Sequence, residues 1–386
     1  MISRICDIPE KMSFFLFGPR QTGKSTLVRK HLRPGAWEVN LLKHEEFIKY
    51  SQHPEIFRKE CHAKISREGV TQIFVDEIQR VPDLLNEVQY LIDQTPEHQF
   101  ILTGSSARKL KRGGANLLAG RALQRFLFPL LAEELDDRFD LDDALRFGTL
   151  PSLFDKTDEL KTDILQSYVE TYLKEEIQAE GLVKNVGGFS RFLNVSASQF
   201  GEELVISNIA SDCQIPASTV QSYYEILEDT LIGFKLLPWR KSIRKQLAGH
   251  PKFYFFDLGV VNAINRRLQS PPDPKLRGHL FEHFVIMELQ RLLRYARGEA
   301  QLFYWRTSNK AEVDLVIEKH GALVAGIEIK SGTQVRAGQL RSLRSFGQEH
   351  PLAQRYVVAN VSTAQKINDL WILPWPEALK ELKSFF

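Results

Sequence analysis

The chain has 386 residues, more than the roughly 250–300 at which a single hydrophobic core stops growing, so we expect several domains. Its composition is 43% hydrophobic and 26% charged, which excludes disorder, collagen and coiled coil as descriptions of the whole chain. There is no apolar run of the ~18 residues that a membrane helix needs, the start lacks the apolar segment of a secretory signal, and the 3 cysteines are widely spaced. These features predict a soluble, cytoplasmic protein without a disulfide framework, a thiolate zinc site or a membrane partner.

The first third of the chain alternates short apolar segments with amphipathic ones. This pattern predicts a parallel sheet with helices on both faces. The predicted strands are residues 13–17, 37–41, 72–75, 99–102 and 123–127. The predicted helices are Lys24–His31, a segment around Phe47 and Ile48, and Ile56–Ile65, with an interruption at Pro54.

The middle of the chain is predicted to be mainly helical. The acidic stretch that ends near Lys184 predicts helices such as Ile164–Ile177, and Gly187-Gly188 predicts a break. After it, two helices joined by a tight turn and followed by two apolar segments indicate a winged-helix module. These elements are Leu204–Ala210, Gln214–Pro216, Ser218–Leu227, 231–237 and 253–256.

The last part of the chain combines one helix with several strands. A proline-rich stretch, Pro271–Pro274, predicts a linker or loop before it. The helix is expected at Leu280–Leu293, and the strands at Leu302–Trp305, Val313–Ile317 and Leu323–Ile329.

Residues Gly18–Ser25 match the phosphate-loop pattern G-x-x-x-x-G-K-[ST] at every fixed position. The loop follows a predicted strand and opens a helix, so backbone N–H groups and the positive helix end can surround phosphate oxygens. We predict that Lys24 reaches the β- and γ-phosphates and that the Ser25 hydroxyl binds Mg²⁺. The predicted ATP-binding residues are Gly18, Pro19, Arg20, Gln21, Thr22, Gly23, Lys24, Ser25 and Thr26.

Two acidic residues, Asp76 and Glu77, end the third predicted strand. One carboxylate there can hold Mg²⁺ and the other can polarise the attacking water, so we predict Asp76 as a metal ligand and Glu77 as the catalytic base. Thr103, which ends the fourth strand, is a candidate for contact with the γ-phosphate, with an ordinary Gly-Ser turn as the alternative. Arg121 is a candidate for stabilising the transition state in a neighbouring subunit, and a plain surface arginine is the alternative.

These motifs resemble the AAA-type ATPase module of a large prokaryotic family whose members carry a second, C-terminal domain of unknown function. The matching residues are 18–26, Asp76–Gln79, Thr103–Ser106 and Leu118–Arg121. The resemblance continues through Arg277–Glu282, Tyr304–Thr307, Ala311–Asp314 and Ile327–Gly332. It implies that the strand of Thr103 lies between the strands of Phe17 and Val75.

A second group of candidate residues lies near the C-terminus. The strand period of two places Glu328 and Lys330 on one face, and a hairpin at 318–321 would bring Asp314 beside Glu328. Neighbouring carboxylates can bind Mg²⁺, the lysine can orient water, and Glu282 on the preceding helix can complete the metal site. The pattern resembles the D…E-x-K signature of restriction-endonuclease-like nucleases. There are two alternatives. Glu328 and Lys330 can form a salt bridge on one face of the strand at the surface, or a nuclease fold can be kept only for binding.

The net charge of +3 hides a basic segment. Lys235–Lys310 contains 15 basic and 5 acidic residues, whereas Leu131–Lys184 contains 6 basic and 15 acidic ones. A basic segment attracts the phosphate backbone of DNA, although a solvated basic surface explains it equally well. The candidate nucleic-acid contacts of the winged-helix module are Ser218, Thr219, Gln221, Arg240, Lys241, Arg244 and Lys245. The alternative is that this module serves only for packing between domains or subunits.

The sequence thus predicts an α/β protein in four parts. These are a parallel-sheet P-loop ATPase domain at 1–134, a helical lid or linker at 135–190, a winged-helix-like module at 191–270 and an α/β nuclease-like domain at 271–386. The predicted function is Mg²⁺-dependent ATP hydrolysis coupled to a nucleic-acid-associated C-terminal region. The alternative is an ATP-operated regulatory scaffold whose C-terminal modules bind protein or DNA without cleavage. An arginine that acts between subunits would require a homo-oligomer.

Overall fold

The computed structural model describes residues 2–105, 118–173, 185–241 and 249–386. The contacts between residues divide the chain into two units. The first comprises Met1–Leu130, Leu150–Ser152 and Ile226–Ile232, and the second comprises Leu131–Thr149, Leu153–Glu225 and Gly233–Phe386.

The first unit contains a five-stranded sheet. Its strands are β1 (Phe14–Phe17), β2 (Trp37–Asn40), β3 (Gln72–Asp76), β4 (Gln99–Gly104) and β5 (Leu123–Phe126). They lie in the order β2-β3-β4-β1-β5, and every pair is parallel. The prediction of a parallel sheet is therefore confirmed. The strand of Thr103, β4, lies between β1 and β3, as the resemblance implied.

In the described part of the first unit four α-helices accompany this sheet, and all three predicted helical segments are confirmed. The helices are α1 (Lys24–His31), α2 (His44–Gln52), α3 (Pro54–Glu68) and α4 (Leu84–Gln94). Pro54 is the first residue of α3, where its missing N–H breaks no helical hydrogen bond and its restricted φ suits a helix. The core is made by apolar side chains of the strands and helices, for example Phe17, Val75 and Leu102. Because the strands are parallel, the carboxyl ends of β1, β3 and β4 meet at one edge of the sheet.

Helices dominate the described residues between 132 and 296. They are α5 (Ala132–Leu135), α6 (Leu141–Phe147), α7 (Asp158–Ser167), α8 (Val186–Ser198), α9 (Ile206–Cys213), α10 (Ala217–Asp229), α11 (Leu258–Ile264) and α12 (Pro274–Ala296). A π-helical segment, Tyr168–Leu173, continues α7. The strands β6 (Gly233–Leu236) and β7 (Lys252–Phe255) form an antiparallel ribbon. The predicted order of helix, turn, helix and two apolar strands is therefore present.

Two predicted boundaries in this region are wrong. Gly187 and Gly188 do not break a helix but lie in the first turn of α8, because the Asn185 side chain accepts a hydrogen bond from the Gly188 N–H at 2.8 Å. Such a cap offsets the low helix propensity of glycine. The loop predicted at Pro271–Pro274 is one residue shorter in the structure, because Pro274 is the first residue of α12. The Asp273 carboxylate caps the first turn of this helix.

The second unit also contains a six-stranded mixed sheet. Its strands are β8 (Gln301–Arg306), β9 (Glu312–Lys319), β10 (Ala322–Lys330), β11 (Gln354–Ala359), β12 (Gln365–Ile367) and β13 (Leu370–Pro374), in the order β12-β13-β11-β10-β9-β8. The first three are antiparallel neighbours and confirm the predicted hairpin, whereas β10, β11 and β13 run parallel. Two helices follow strands of this sheet, α13 (Arg341–Glu349) and α14 (Trp375–Leu382). In the part of the chain that the structure describes, no helix has both the length and the apolar character needed to cross a bilayer.

Candidate functional site

The phosphate-loop residues form a tight turn between β1 and α1. Gly18 has no room for a side chain, because a Cβ atom there would lie 2.1 Å from the carbonyl oxygen of Leu127. Gly23 adopts a φ of 88°, in the left-handed region that favours glycine, and α1 begins at the next residue. The Lys24 side chain is only 5% exposed, and its ammonium donates to the carbonyl oxygens of Gly18 and Pro19, each at 2.9 Å. The lysine therefore lies across the loop that the motif assigns to phosphate.

Two residues outside the motif brace this loop. The Arg4 guanidinium donates to the carbonyl oxygens of Thr22 at 2.9 Å and of Phe128 at 2.6 Å. The Ser152 hydroxyl donates to Gln21 Oε1 at 3.0 Å. Arg4 lies 18 residues before Thr22 and Ser152 lies 131 residues after Gln21, and no local pattern in the sequence singles them out.

Polar side chains from α1, β3 and β4 converge on Asp76. The Ser25 hydroxyl donates to Asp76 Oδ1 at 2.8 Å, and the Thr103 hydroxyl donates to the same oxygen at 2.5 Å. The other carboxylate oxygen, Oδ2, lies 3.5 Å from the guanidinium of Arg29, which also contacts Glu38 at 2.6 Å. Asp76 is 2% exposed, so these partners compensate for the burial of its charge. Sequence reasoning missed Arg29, although it follows Lys24 on α1 by little more than one turn.

Glu77 lies beside this group in a strained conformation. Its φ of 62° is left-handed, which is uncommon for a residue other than glycine and is concentrated at functional sites. Its N–H donates to the Thr103 hydroxyl at 3.2 Å. Its Oε2 accepts a hydrogen bond from Gln79 Nε2 at 2.5 Å, and the same nitrogen lies 3.2 Å from the Ser105 hydroxyl. Gln79, which is 5% exposed, thus holds the Glu77 carboxylate by a hydrogen bond, and no motif in the sequence singled it out.

Arg121 is not among the residues gathered around Asp76. Its Nε donates to Asp93 Oδ1 at 2.5 Å, and this bond raises the pKa of the guanidinium above its usual value. A role for Arg121 in a neighbouring subunit stays a prediction. Ser106, the last residue of one matching motif, lies outside the described residues.

The predicted C-terminal residues are close to one another. In the antiparallel β9–β10 hairpin Leu315 pairs with Ile327, so the residue before Leu315, Asp314, lies beside the residue after Ile327, Glu328. Asp314 Oδ2 accepts a hydrogen bond from the Ile329 N–H at 2.7 Å. The ammonium of Lys330 lies 2.7 Å from Glu328 Oε1 and 3.7 Å from Asp314 Oδ2.

A lysine that the sequence analysis missed joins this group. Lys252 on β7 places its ammonium 2.6 Å from Glu312 Oε1 and 3.8 Å from Glu282 Oε1. The Tyr254 hydroxyl donates to the same oxygen of Glu282 at 3.0 Å. Lys252 and Tyr254 are two residues apart on one strand, and this period of two was the signal in the sequence. We call Glu282, Glu312, Asp314, Glu328, Lys252 and Lys330 the carboxylate cluster.

Charges in the carboxylate cluster shift one another's pKa values. Burial, and then the negative charge of Asp314, raise the pKa values of Glu282 and Glu328 above the usual range for glutamate. Burial alone would lower the pKa of Lys252, but the carboxylates of Glu282, Glu312 and Asp314 raise it above its ordinary value. Burial therefore disfavours the ionised forms of Glu282 and Glu328, whereas the neighbouring carboxylates favour the charged form of Lys252.

The donor set of the carboxylate cluster does not fit a divalent cation. Across residues 2–105, 118–173, 185–241 and 249–386, no group of three or more His, Cys, Asp or Glu is arranged as metal ligands. The carboxylates that were predicted to bind Mg²⁺ instead contact two lysines and a tyrosine. One oxygen, Glu328 Oε2, is buried without a hydrogen-bond partner, and one oxygen does not make a metal site.

By contrast, the oxygens around Asp76 suit Mg²⁺. Proteins commonly bind this ion through one or two carboxylates and leave its other positions to phosphate oxygens and water. The Ser25 hydroxyl and the Asp76 carboxylate, 2.8 Å apart, provide such a pair.

The candidate nucleic-acid contacts are only partly described. On α10, Ser218 and Gln221 are exposed and Thr219 is half-buried, while Tyr223 and Tyr224 belong to the core. Lys241 is exposed, but Arg240 donates to the carbonyl oxygen of Arg306 at 2.5 Å. Arg244 and Lys245 lie outside the described residues.

Several cations of the basic segment are paired with acidic residues. Arg306 lies 2.7 Å from Glu203, Arg277 pairs with Asp142, and Arg291 lies 3.4 Å from Glu288. The excess of basic residues in this segment therefore overstates the positive charge that is free to contact phosphates.

Comparison with known proteins divides the chain into three stretches. Residues 10–135 match the model of an AAA domain. Residues 138–270 match a domain of unknown function, DUF8612, and residues 277–378 match another, DUF4143. The AAA match agrees with the phosphate loop and supports nucleotide binding by this part of the chain.

The chain is also similar to proteins described as uncharacterized. One from Mycobacterium tuberculosis and one from Mycobacterium bovis are each 28% identical over 348 residues, which cover 89% of this chain and 75% of theirs. One from Haemophilus influenzae is 24% identical over 301 residues, which cover 71% of this chain and 73% of its own. The similarity extends through most of the chain in the mycobacterial proteins, beyond the AAA stretch.

Proposed function

We propose that this protein binds ATP with Mg²⁺, hydrolyses it, and couples its nucleotide state to the C-terminal region. The observation that carries the proposal is the convergence of Ser25, Asp76, Glu77 and Thr103 at one edge of the parallel sheet, next to Lys24 on the phosphate loop. The match of residues 10–135 to an AAA domain supports it.

Each residue around Asp76 has a separate task in this proposal. The N–H groups of residues 18–26 and the N-terminus of α1 bind the phosphates, and Lys24 reaches the β- and γ-phosphates. Ser25 and Asp76 hold Mg²⁺, which when bound neutralises charge on the phosphate oxygens. Glu77 accepts a proton from the attacking water, and Thr103 fixes the positions of Asp76 and Glu77 through its two hydrogen bonds.

Substitutions of Lys24 and Glu77 test the ATPase. We expect Lys24→Ala to lose ATP binding, because the ammonium that reaches the phosphates is gone. Glu77→Gln should still bind ATP but hydrolyse it at least about 100-fold more slowly, as expected for loss of a general base. Binding is measured with a fluorescent ATP analogue, and turnover by phosphate release.

Lys30→Ala is the matched control, since Lys30 is an exposed lysine in the last turn of the same helix. It should bind and hydrolyse ATP like the wild type. Turnover at the wild-type rate by both Lys24→Ala and Glu77→Gln would overturn the proposal.

A specific observation also favours the scaffold alternative for the C-terminal region. Its carboxylates pair with Lys252 and Lys330, so the metal-dependent cleavage suggested by the D…E-x-K pattern lacks free ligands. We infer that this region binds protein or DNA without cutting it. Ser218, Thr219, Gln221 and Lys241 are the described residues that remain candidate DNA contacts.

A further inference from the structure

Lys252 is a buried cation on the β6–β7 ribbon. Its side chain is 6% exposed, and the ammonium lies 2.6 Å from Glu312 and 5.3 Å from the ring centre of Tyr304. A charged group that is removed from water to this extent requires compensating charge nearby. The carboxylate cluster provides it, since Glu282 and Glu312 both lie within 4 Å.

The ribbon contributes a second inward-facing group to the same place. Tyr254, two residues after Lys252, is fully buried and its hydroxyl donates to Glu282 at 3.0 Å. Glu282, which was predicted to complete a metal site, therefore contacts two side chains of β7. This face of the strand is directed at the cluster.

The other carboxylates are also occupied by protein groups. Lys330 contacts Glu328 at 2.7 Å and Asp314 at 3.7 Å, and Arg306 lies 3.4 Å from Glu312. Each of the four carboxylates therefore has a lysine ammonium within 4 Å. These ammonium groups supply the positive charge that a divalent cation would otherwise supply.

The chain after β6 also covers the edge of the C-terminal sheet near the cluster. The Trp239 N–H donates to the carbonyl oxygen of Tyr304 at 2.6 Å, and the Tyr304 N–H donates to the carbonyl oxygen of Leu237 at 3.0 Å. The Tyr304 hydroxyl donates to Glu203 at 3.1 Å. Backbone pairing and the buried ion pairs thus hold the ribbon segment and the sheet together.

We propose that the ammonium of Lys252 takes the place of a divalent cation in the carboxylate cluster, so that the cluster binds no Mg²⁺ and instead fixes the β6–β7 ribbon to the C-terminal sheet. Lys252 is then the residue that converts a nuclease-like arrangement of carboxylates into an internal ionic contact. The inference does not depend on ATP hydrolysis, and it supplies a physical reason for a C-terminal region that binds without cleaving.

Direct titration with Mn²⁺ tests this inference without any assay of activity. Free Mn²⁺ is measured by electron paramagnetic resonance in the presence of the full chain without nucleotide. We expect the wild type to show no 1:1 binding of Mn²⁺ at concentrations up to about 1 mM. This concentration corresponds to the weakest Kd values of ordinary divalent-cation sites in proteins. Lys252→Met keeps the length of the side chain but removes its charge. It should acquire one Mn²⁺ site at least about 10-fold tighter than any binding by the wild type.

Further variants connect the new site to the carboxylate cluster. Adding Asp314→Asn to Lys252→Met should abolish the acquired site, and Lys252→Arg should bind no Mn²⁺ because it keeps the positive charge. Lys156→Met, at an exposed lysine of the same unit, is the matched control and should behave like the wild type. If Lys252→Met does not fold, the wild type still provides a test, because a single Mn²⁺ bound by it and lost in Asp314→Asn would overturn the inference.

Two results would overturn the inference. One is a single Mn²⁺ bound by the wild type and lost in Asp314→Asn. The other is a folded Lys252→Met protein that binds no Mn²⁺. Cleavage of labelled DNA or RNA by the wild type with Mn²⁺, lost in Asp314→Asn, would count against it as well. All of these outcomes are independent of Lys24, so they are distinguishable from a failure of the ATPase proposal.

Discussion

At the scale of single residues, the proposed ATPase site depends on hydrogen bonds that no motif specifies. Thr103 donates to Asp76 and accepts from the N–H of Glu77, so one hydroxyl fixes the proposed metal ligand relative to the proposed base. Gln79 then holds the Glu77 carboxylate and lies within hydrogen-bond distance of Ser105 on the neighbouring strand. The motif identifies the candidate reactive residues, and these partners set their orientation.

The contact between Gln79 and Glu77 yields a prediction for Gln79→Met. Methionine preserves the buried volume but donates no hydrogen bond, so Glu77 is no longer held towards its water. We expect kcat for ATP hydrolysis to fall about 10-fold, as for other residues that orient a reacting group. The Kd for ATP should stay unchanged, because the Gln79 side chain donates its hydrogen bonds to Glu77 and Ser105 rather than to the phosphate loop.

The measurement for Gln79→Met is steady-state turnover together with ATP binding. Gln94→Met, at the exposed end of α4, is the control and should retain wild-type values of both. A loss of ATP affinity with kcat intact would show that Gln79 supports the fold of the loop rather than the orientation of Glu77.

At the scale of elements, α11 begins at a buried cap. The Asp257 carboxylate accepts from the N–H of Val260 at 3.2 Å and from the N–H of Thr149 at 2.8 Å. It is completely buried, and this burial raises its pKa to about 6, although the backbone donors and Arg291 lower it. The helix is therefore anchored by a carboxylate that is costly to ionise.

This raised pKa predicts how stability depends on pH. The folded state keeps the Asp257 proton up to about pH 6, whereas the unfolded chain releases it near pH 4. The contribution of Asp257 to the free energy of unfolding therefore falls as the pH rises from about 4 to about 6 and is constant above that. The difference in stability between the wild type and Asp257→Asn should fall by about 1 kcal/mol between pH 5 and pH 7.

Urea unfolding of both proteins at several pH values measures this difference. Asp140→Asn, at the exposed cap of α6, is the control for removal of a capping carboxylate. A difference between the wild type and Asp257→Asn that grows with pH would contradict the prediction.

At the scale of the whole molecule, ATP bound at the phosphate loop acts on the first unit by mass action. A ligand at 100 times its Kd stabilises the state that binds it by about 2.7 kcal/mol, which slows exchange through global unfolding about 100-fold. Amides of β1, β3 and β4 should therefore exchange more slowly with Mg²⁺ and ATP. If nucleotide state is coupled to the C-terminal region, amides of the β6–β7 ribbon should also change their exchange rates.

Hydrogen exchange followed by mass spectrometry separates these two effects. Neither should occur in Lys24→Ala, and both should occur in Lys30→Ala. Slower exchange that is confined to the first unit would leave ATP binding intact and would contradict the coupling.

The motif residues and most element types followed from local patterns. The phosphate loop, the strand that ends in Asp76 and Glu77, the β9–β10 hairpin and the shared face of Glu328 and Lys330 depend on residues close in sequence. Spacing along one strand or one loop is enough to place such residues, because backbone geometry fixes the period of the side chains.

Contacts between segments that are distant in sequence were determined by tertiary packing and could not be predicted from local patterns. Lys252 meets Glu312 across 60 residues and Arg277 pairs with Asp142 across 135, and such pairs depend on which elements become neighbours when the core forms. A charge count along the chain ignores these pairs, so it overstated the free basic surface. A short acidic motif likewise suggested a metal site without showing the lysine that neutralises it. The sequence identified the reactive groups, and the packing of the elements that carry them determined what each group contacts.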